Sequence, residues 1–361
     1  MGIVTVLQFL AVVAVVVFLT VNILHLIKIP LVGGPLHSSP FISICVPARN
    51  EERGIEGCLR SLLEQDYPQF EVIAVDDNST DATAAIIESL ALAYPRLMFI
   101  RGAALPVGWL GKPYALQQAY KKSRGDYLLF TDADPVFQPA ALTSAMYFMQ
   151  VKNVDVLSLL PCAQFGSFWE RAVQPVIFGF IGALTRFKKI NSRNYPDAMG
   201  VGAFLMFKRE VYERIGGHER VKQEIVEDIA IAKCVKKEGF SLLVADGKSI
   251  FSIRMYHSLR EIWEGWRKNM FAAMKQSIIR SLYYVIVILS FVVTPYLVFF
   301  YNIISGGHVF LSFAALLLVL AASAQLCNEL MLEKRYKLLF PLGAMVMSVV
   351  MLNSMFQVLS K

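Results

Sequence analysis

Two carboxylates one residue apart, Asp132 and Asp134, follow the apolar run Tyr127 to Phe130 and precede Pro135. The run reads as a short buried strand, and the proline stops it. Side chains alternate along an extended chain, so both carboxylates are expected on one side of it. Ligands of α/β sheets bind beyond the carboxyl ends of the strands. Two carboxylates held there repel each other unless a positive charge lies between them. A divalent cation carrying a diphosphate meets that need. Magnesium is usually held by one or two carboxylates, with phosphate and water oxygens completing its shell. A solvated turn or a helix cap would use the same residues, so the neighbouring segments decide.

The elements that have to position these carboxylates begin at residue 41. Phe41 to Val46 reads as a first strand, followed by the loop Pro47-Ala48-Arg49-Asn50-Glu51-Glu52. A helix follows, with Ile55, Leu59, Leu62 and Leu63 on one face. Phe70 to Val75 is a second strand ending in Asp76-Asp77-Asn78-Ser79-Thr80-Asp81, where Ser79 or Thr80 can cap a helix to about Ala93. Leu97 to Arg101 is a third strand, and a helix from Gly111 to about Ser123 leads to the Asp132/Asp134 strand. This alternation predicts an α/β fold with a doubly wound parallel sheet. No G-x-G-x-x-G follows the first strand and no G-x-x-x-x-G-K occurs, which argues against a dinucleotide dehydrogenase and a P-loop NTPase. Further strands are expected at Val154 to Leu160, Gly200 to Phe207, Ser241 to Ala245 and Ile250 to Ile253. A helix opening at Ile225 carries Glu227 and Asp228 and closes near Gly239. His218, after Gly216-Gly217, reads as a turn residue.

The rest of the chain is too apolar for a soluble enzyme. Of 361 residues, 56% are hydrophobic and only 17% charged. Ile3 to Ile27 contains no Asp, Glu, Lys or Arg and is long enough to span a bilayer. Met1-Gly2-Ile3 lacks the basic start of a signal peptide, so a retained anchor is expected. Leu31 to Pro40 reads as a linker. Phe165 to Phe187 is apolar but broken by Glu170, Arg171, Gln174 and Pro175, which fits an interfacial or re-entrant helix lining a path for a lipid, or a buried helix pair. Leu259 to Ile279 mixes basic residues with Trp263 and Trp266, read as membrane anchors in a headgroup-level helix. Three more spans are expected at about Tyr283–Ile304, His308–Cys327 and Leu338–Leu359. Lys28, Lys268, Lys275, Arg280 and the basic loop Glu333 to Lys337 then face the cytoplasm, with the Gly306 turn outside. The expected protein is multi-pass in the plasma membrane, with its N-terminus outside and its α/β domain cytoplasmic. The expected divisions are an anchor at 1–28, the α/β domain at 41–255, an interfacial region at 256–281 and three spans at 282–361. A net charge of +7 suits an anionic membrane surface, and no nucleic-acid partner is expected. The five cysteines show no C-x-x-C spacing and read as reduced packing residues.

Val46 to Glu52, Val75 to Asp81, Gly111-Lys112, Asp132-Ala133-Asp134 and Glu227-Asp228, in that order, resemble the motifs of family 2 glycosyltransferases. The resemblance covers roughly residues 41 to 270. It implies a GT-A fold with a Rossmann-like, mostly parallel sheet, and inverting transfer from a nucleotide-diphosphate sugar, a UDP-sugar being favoured. Ile253-Arg254-Met255-Tyr256 and Trp263-Glu264-Gly265-Trp266 resemble membrane glycosyltransferases that modify carotenoid acids or accompany hopanoid synthesis, which implies a membrane lipid acceptor. The Q-x-x-R-W signature of cellulose- and hyaluronan-type synthases is absent as such, with Glu264-Gly265-Trp266-Arg267 in a similar place. This argues against processive polymerisation.

The resemblance implies substrate contacts from Pro47, Arg49, Asn50, Glu51, Asp76, Asp77, Lys112 and Asp132, with Asp77 accepting from the base and Glu51 helping to hold the nucleoside. It implies a divalent metal, Mg2+ or Mn2+, on Asp134 with Asp132. Asp132 is also a candidate for the ribose, and Lys112 for a phosphate or a carboxylate. Inverting transfer needs a carboxylate to take the acceptor proton. Glu227 and Asp228 are neighbours on a helix and do not share a face, so one of them reaches the acceptor. The resemblance favours Asp228 and leaves Glu227 open. The expected activity is sugar transfer to a lipid-type acceptor at the cytoplasmic membrane face. The alternatives are a polyprenyl-phosphate sugar or polysaccharide synthase and, in another class, a non-catalytic sugar-nucleotide-binding sensor.

Overall fold

The structure, a computed structural model, describes residues 2–32, 36, 38–274 and 276–359. Gly33, Gly34, Pro35 and His37 of the expected linker, and Lys275 of the expected basic flank, lie outside the described residues. The chain forms two compact units, one of Leu26–Gln164 with Phe187–Met255, the other of Met1–His25 with Phe165–Arg186 and Tyr256–Lys361. The segment from Phe165 to Arg186, expected inside an unbroken 41–255 domain, groups with the terminal helices.

The first unit is α/β. Its strands are β1 (Ile27–Lys28), β2 (Ile42–Ala48), β3 (Phe70–Asp76), β4 (Leu97–Arg101), β5 (Tyr127–Phe130), β6 (Val136–Phe137), β7 (Val156–Leu160), β8 (Cys162–Ala163), β9 (Leu205–Lys208), β10 (Leu242–Asp246) and β11 (Phe251–Ile253). Among the described residues, eight of them form a sheet in the order β1-β10-β7-β9-β5-β2-β3-β4, and β6-β11-β8 form a smaller sheet. The large sheet is parallel except at β9, which runs antiparallel to both β5 and β7. The sheet is therefore mixed and mostly parallel, with β9 its antiparallel strand. The chain enters β9 from a loop rather than a crossover helix, because 200–204 turns, with Phe204 N–H donating to Val201 O, and extended pairing starts only at Leu205.

Every residue of β2 is buried, as a central strand covered on both faces requires. Ile42, Ile44 and Val46 pack into one core with Leu59, Leu62, Ile87, Leu142 and Met146. Cys45 points into the other, with Ile73, Val75, Leu116, Ala119, Ile231 and Val235. These residues belong to α2 (Ile55–Leu63), α3 (Thr83–Ala93) and α5 (Ala141–Lys152) on one face. On the other face Leu116 and Ala119 belong to α4 (Gly111–Lys122) and Ile231 and Val235 to α9 (Glu227–Lys237), and the short helices α7 (Phe187–Ile190) and α8 (Arg209–Arg214) add Phe187, Ile190, Val211 and Tyr212 to the same core. Burying one such aliphatic side chain contributes about 1.5–3 kcal/mol. The strands therefore present their carboxyl-end loops from a rigid platform. One cap differs from expectation. α3 starts at Thr83, where Asp81 accepts from the Thr83 N–H at 3.0 Å and its hydroxyl at 2.5 Å, because Ser79 and Thr80 are engaged by Asn50.

The second unit is helical: α1 (Gly2–Leu24), α6 (Phe168–Leu184), α10 (Leu259–Ala273), α11 (Ile278–Val292), α12 (Thr294–Ser305), α13 (Val309–Glu329) and α14 (Phe340–Leu359). Among the described residues, Gly2–Leu24, Val309–Glu329 and Lys334–Val358 are long and apolar enough to cross a membrane. α11 and α12 make a fourth only as a pair bent by 47°. The expected straight span at Tyr283–Ile304 is thus broken. Pro295 lies in the first turn of α12, where its missing N–H costs nothing. α6 is a single helix opened by a reciprocal Ser167–Glu170 cap and buried along its first half. Asn22 of α1 donates to the carbonyls of Gly182 and Thr185, satisfying groups that the end of α6 leaves orphaned. Trp266 is buried with Ile262, Met270, Ala344 and Met347, and Trp263 Nε1 donates to Asn353 Oδ1 at 3.4 Å. Within this unit Trp266 is therefore a packing group and Trp263 a hydrogen-bonding one.

Candidate functional site

The loops after β2 and β3 form one interlocked surface. Pro47 and Ala48 are still in the ladder, opposite Val75 and Asp76. Asn50 then adopts φ 56°, a left-handed conformation that asparagine tolerates. Its N–H donates to Ser79 Oγ at 3.0 Å, and its Oδ1 accepts from the Thr80 N–H at 2.8 Å. The Glu51 N–H donates to Thr83 Oγ1 at 2.8 Å. Asp76 is buried, and both its carboxylate oxygens accept from the Ser79 N–H, so it shapes its own loop. Asp77 is buried beside an exposed Arg49, with Nη1 3.5 Å from Oδ2. Burial pushes the Asp77 carboxyl up and Arg49 opposes it. Gly111, the first residue of α4, lies against Asp77; a Cβ there would collide with the carboxylate, so the glycine permits this approach.

Lys112, one residue further along α4, joins two elements far apart in sequence. Its Nζ lies 2.6 Å from Asp132 Oδ1 and 2.7 Å from Glu227 Oε1. Burial pulls its ammonium down, but Asp132, Glu227 and Asp228 outweigh burial and hold it well above its usual range. A Cβ at Gly202 would stand 2.9 Å from this Nζ, so backbone without a side chain walls the cluster. The Gly202 N–H donates to Asp228 Oδ2 at 2.9 Å, and the Ile229 N–H to Asp228 Oδ1 at 2.7 Å. Burial first, then Glu227, pushes the Asp228 carboxyl up to about 7, against the pull of Lys112. Glu227 is the more buried of the two and is occupied by Lys112.

Asp132 and Asp134 differ from expectation. β5 ends at Phe130, and both aspartates lie beyond it, in a segment where strand alternation no longer applies. Asp132 turns to Lys112, while Asp134 packs against Gly54 before α2, where a Cβ would be 3.4 Å from it. Burial, then Asp132 and Glu51, push Asp134 up to about 8. Burial, then Asp132 and Asp81, push Glu51 up to about 7. Among the described residues, no three His, Cys, Asp or Glu side chains converge closely enough to hold a metal by themselves. The carboxylates of Glu51, Asp132 and Asp134 are hard oxygen donors, and Asp132 raises the proton affinity of the other two. They fit a hard divalent cation whose remaining positions are filled by phosphate and water.

The sequence reading missed His218. It is not a free turn residue but is 1% exposed, in the wall behind Lys112. Tyr212 Oη lies 2.8 Å from its Nδ1 and accepts its backbone N–H at 3.0 Å, and the ring stands edge-on to Phe130. Gly216 and Gly217 both have positive φ, and a Cβ at Gly217 would lie 2.7 Å from the Tyr212 ring. The available signal was the Gly-Gly pair, which lets a histidine backbone fold onto a buried tyrosine.

Residues 43–216 match the model of the family described as Glycosyl transferase family 2. The chain is 25% identical over 232 residues to a 4,4'-diaponeurosporenoate glycosyltransferase of Staphylococcus aureus (strain USA300); the match covers 63% of this chain and 60% of the relative. The chain thus spans about 60% of the length of the curated relatives it matches. A solved mannosyltransferase from Pyrobaculum calidifontis, in complex with GDP-mannose and Mn2+, shares the fold over 99% of this chain and 98% of its own at a TM-score of 0.56, with 19% identity. With the mixed sheet, these matches show that residues 43–216 resemble glycosyl transferase family 2 domains and that the fold is of the GT-A type.

Proposed function

We propose that this chain is a membrane-embedded, inverting glycosyltransferase. It takes a sugar from a nucleotide-diphosphate donor and places it on a lipid-borne hydroxyl or carboxyl group at the cytoplasmic membrane face. The observation that carries the reading is the Lys112 bridge, which draws Asp132 of the donor-side loops and the Glu227–Asp228 helix start into one charged cluster. The domain family supports the reaction type. The Staphylococcus relative, whose name specifies a carotenoid acid, supports a lipid acceptor, as do three or four helices able to cross a membrane. The Pyrobaculum structure, bound to GDP-mannose and Mn2+, supports a sugar-nucleotide donor and a divalent metal. A UDP-sugar remains the favoured donor of this reading.

In this mechanism Arg49, Asn50, Glu51 and Asp77 receive the nucleoside on the first two strand-end loops, with Pro47 and Asp76 fixing those loops. Asp132 contacts the donor from the bridge. A divalent cation held by Asp134 with Asp132 would neutralise the departing diphosphate. Lys112 adds a point charge on the same side and pairs with Glu227. Asp228, with its carboxyl pushed up to about 7, takes the proton of a hydroxyl acceptor as the oxygen attacks the anomeric carbon. An ionised carboxyl acceptor has no proton to give, so it dispenses with Asp228. The two acceptor classes are therefore separable by one variant.

The test is nucleotide diphosphate release by detergent-solubilised protein, offered UDP-, GDP- and dTDP-sugars with membrane lipid extract, with and without Mg2+ or Mn2+. Release that needs both metal and lipid and is lost in Asp134→Ala supports the reading and names the donor. Donor binding without release, unchanged in Asp228→Ala, would overturn it in favour of a sensor.

A further inference from the structure

We infer that His218 is a positioning residue for the Glu227–Asp228 pair, fixed by Tyr212 as its Nε2–H tautomer and donating through one water into the cavity behind Lys112. The inference rests on the transferase reading of this site and adds to it a residue outside the family-type motifs.

The tautomer follows from counting hydrogens. The Tyr212 hydroxyl already accepts the His218 backbone N–H. Its single hydrogen needs an acceptor, and His218 Nδ1 at 2.8 Å supplies one. Burial pushes the Tyr212 phenol up, so that hydrogen stays in place. Nδ1 is then an acceptor, and the neutral ring carries its proton on Nε2. Burial, then the charge of Lys112, push the imidazole down to about 3, so the ring is neutral at working pH. Phe130, with its centroid 4.7 Å away, holds the ring plane.

A cavity of about 10 Å³ adjoins this ring, and Lys112, Thr131, Gly202, His218, Glu227 and Asp228 are among its lining residues. That volume suits a single water, which needs two to four polar partners. Thr131 is already committed, donating to Ala203 O at 2.8 Å. Lys112 has three ammonium hydrogens and uses two on Asp132 and Glu227. A water here can accept from His218 Nε2–H and the third Lys112 hydrogen and donate to the carboxylates of Glu227 and Asp228. All four of its positions are then used. Such a water ties the helix start to a rigid aromatic wall and fixes which oxygens the carboxylates present to the acceptor.

The experiment uses the full chain in detergent. His218→Phe keeps a ring but removes the donor, while His218→Gln restores an N–H near the Nε2 position. The expected result is a fall in kcat of about tenfold for His218→Phe, with donor KM within about twofold of wild type and most of the loss recovered in His218→Gln. An unchanged kcat, or kcat and KM moving together without recovery in His218→Gln, overturns the inference. Nitrogen NMR of histidine-labelled protein, which has five histidines, reads the tautomer without turnover. A neutral Nε2–H signal that is constant from about pH 5 to 9 is expected; an Nδ1–H signal, or titration near the ordinary value of about 6.5, overturns the inference. Wild-type protein that releases no diphosphate from any donor sinks the transferase reading instead, and the NMR result then decides the role of His218 alone. Should His218→Phe not fold, Tyr212→Phe removes only the hydroxyl. It is expected to populate the second tautomer, and an unchanged spectrum overturns the inference.

Discussion

Asp132 and Asp134 sit on a bend beyond β5, whereas Glu227 and Asp228 open a helix, and the two pairs meet opposite electrostatic surroundings. The helix pair is largely neutralised from within the chain. Lys112 holds Glu227, the Gly202 N–H holds Asp228, and the helix dipole favours both. Among the described residues, the bend pair meets the charge of Lys112 on the Asp132 side, while Asp134 faces Asp132 and Glu51. The lesson is that identical side chains acquire different chemistry from what faces them. In the proposed mechanism the first pair moves a proton and the second takes a cation.

The largest effect should come from the helix pair. Asp228→Asn keeps an oxygen to accept the Gly202 N–H but cannot take a proton. The expected loss in kcat with a hydroxyl acceptor is about 10²–10⁴-fold. Glu227→Gln should cost less, because Asp132 still engages Lys112. Steady-state kinetics of the two variants would reverse the assignment if Glu227→Gln were the worse. In wild type, kcat/KM with a hydroxyl acceptor should fall about tenfold per unit as pH drops below about 7, where Asp228 becomes protonated. A flat acid limb would break the comparison, since it would mean that neither carboxylate works as a base.

The bend pair predicts a stability signature. Glu51 and Asp134 have folded pKa values of about 7 and 8, above their unfolded values near 4. The folded state therefore binds more protons than the unfolded one across that interval. Their contribution to metal-free stability is full below about pH 4 and declines as pH rises toward 8. Mn2+ or Mg2+ should reverse the decline, by about 2.7 kcal/mol at a hundredfold excess over Kd. Asp134→Asn should flatten the decline and remove the metal response. Thermal unfolding with and without metal, at pH 5 and pH 8, reads both. A metal response that survives Asp134→Asn would move the cation site elsewhere.

These contrasts were only partly legible in the sequence. The alternation of strands and helices from 41 to 150 is a local pattern, and the structure follows it closely, from β2 to α4. The motif order placed Lys112, Asp132 and Glu227 on one list, but not in one ion-paired group. That pairing spans more than a hundred residues and depends on Gly202 leaving room for it. The antiparallel β9 was hidden because a short apolar strand carries no direction in its sequence. His218 was read as a turn because a lone histidine after two glycines does not reveal that a tyrosine six residues earlier closes over it. The break at Pro295 was visible as a residue, but hydropathy over the whole stretch masked it.

The smallest effect sharpens the comparison by its sign. Asp81 is a third kind of acidic residue, answered by neither cation nor lysine but by hydrogen bonds at the start of α3. Burial would raise its carboxyl, but the Thr83 hydroxyl and N–H and the Glu52 N–H outweigh it, and the carboxyl lies below its usual range. A lowered folded pKa means that its stabilisation is present above the unfolded value of about 3.9 and is lost as pH falls through the folded one. That is the reverse of Asp134. Asp81→Ala should lower Tm slightly at neutral pH, by the loss of a cap, and the difference should vanish in strong acid. The metal response should be intact. If Asp81→Ala instead reproduced the flattened pH dependence of Asp134→Asn, the division between acids held by backbone and acids awaiting a cation would fail.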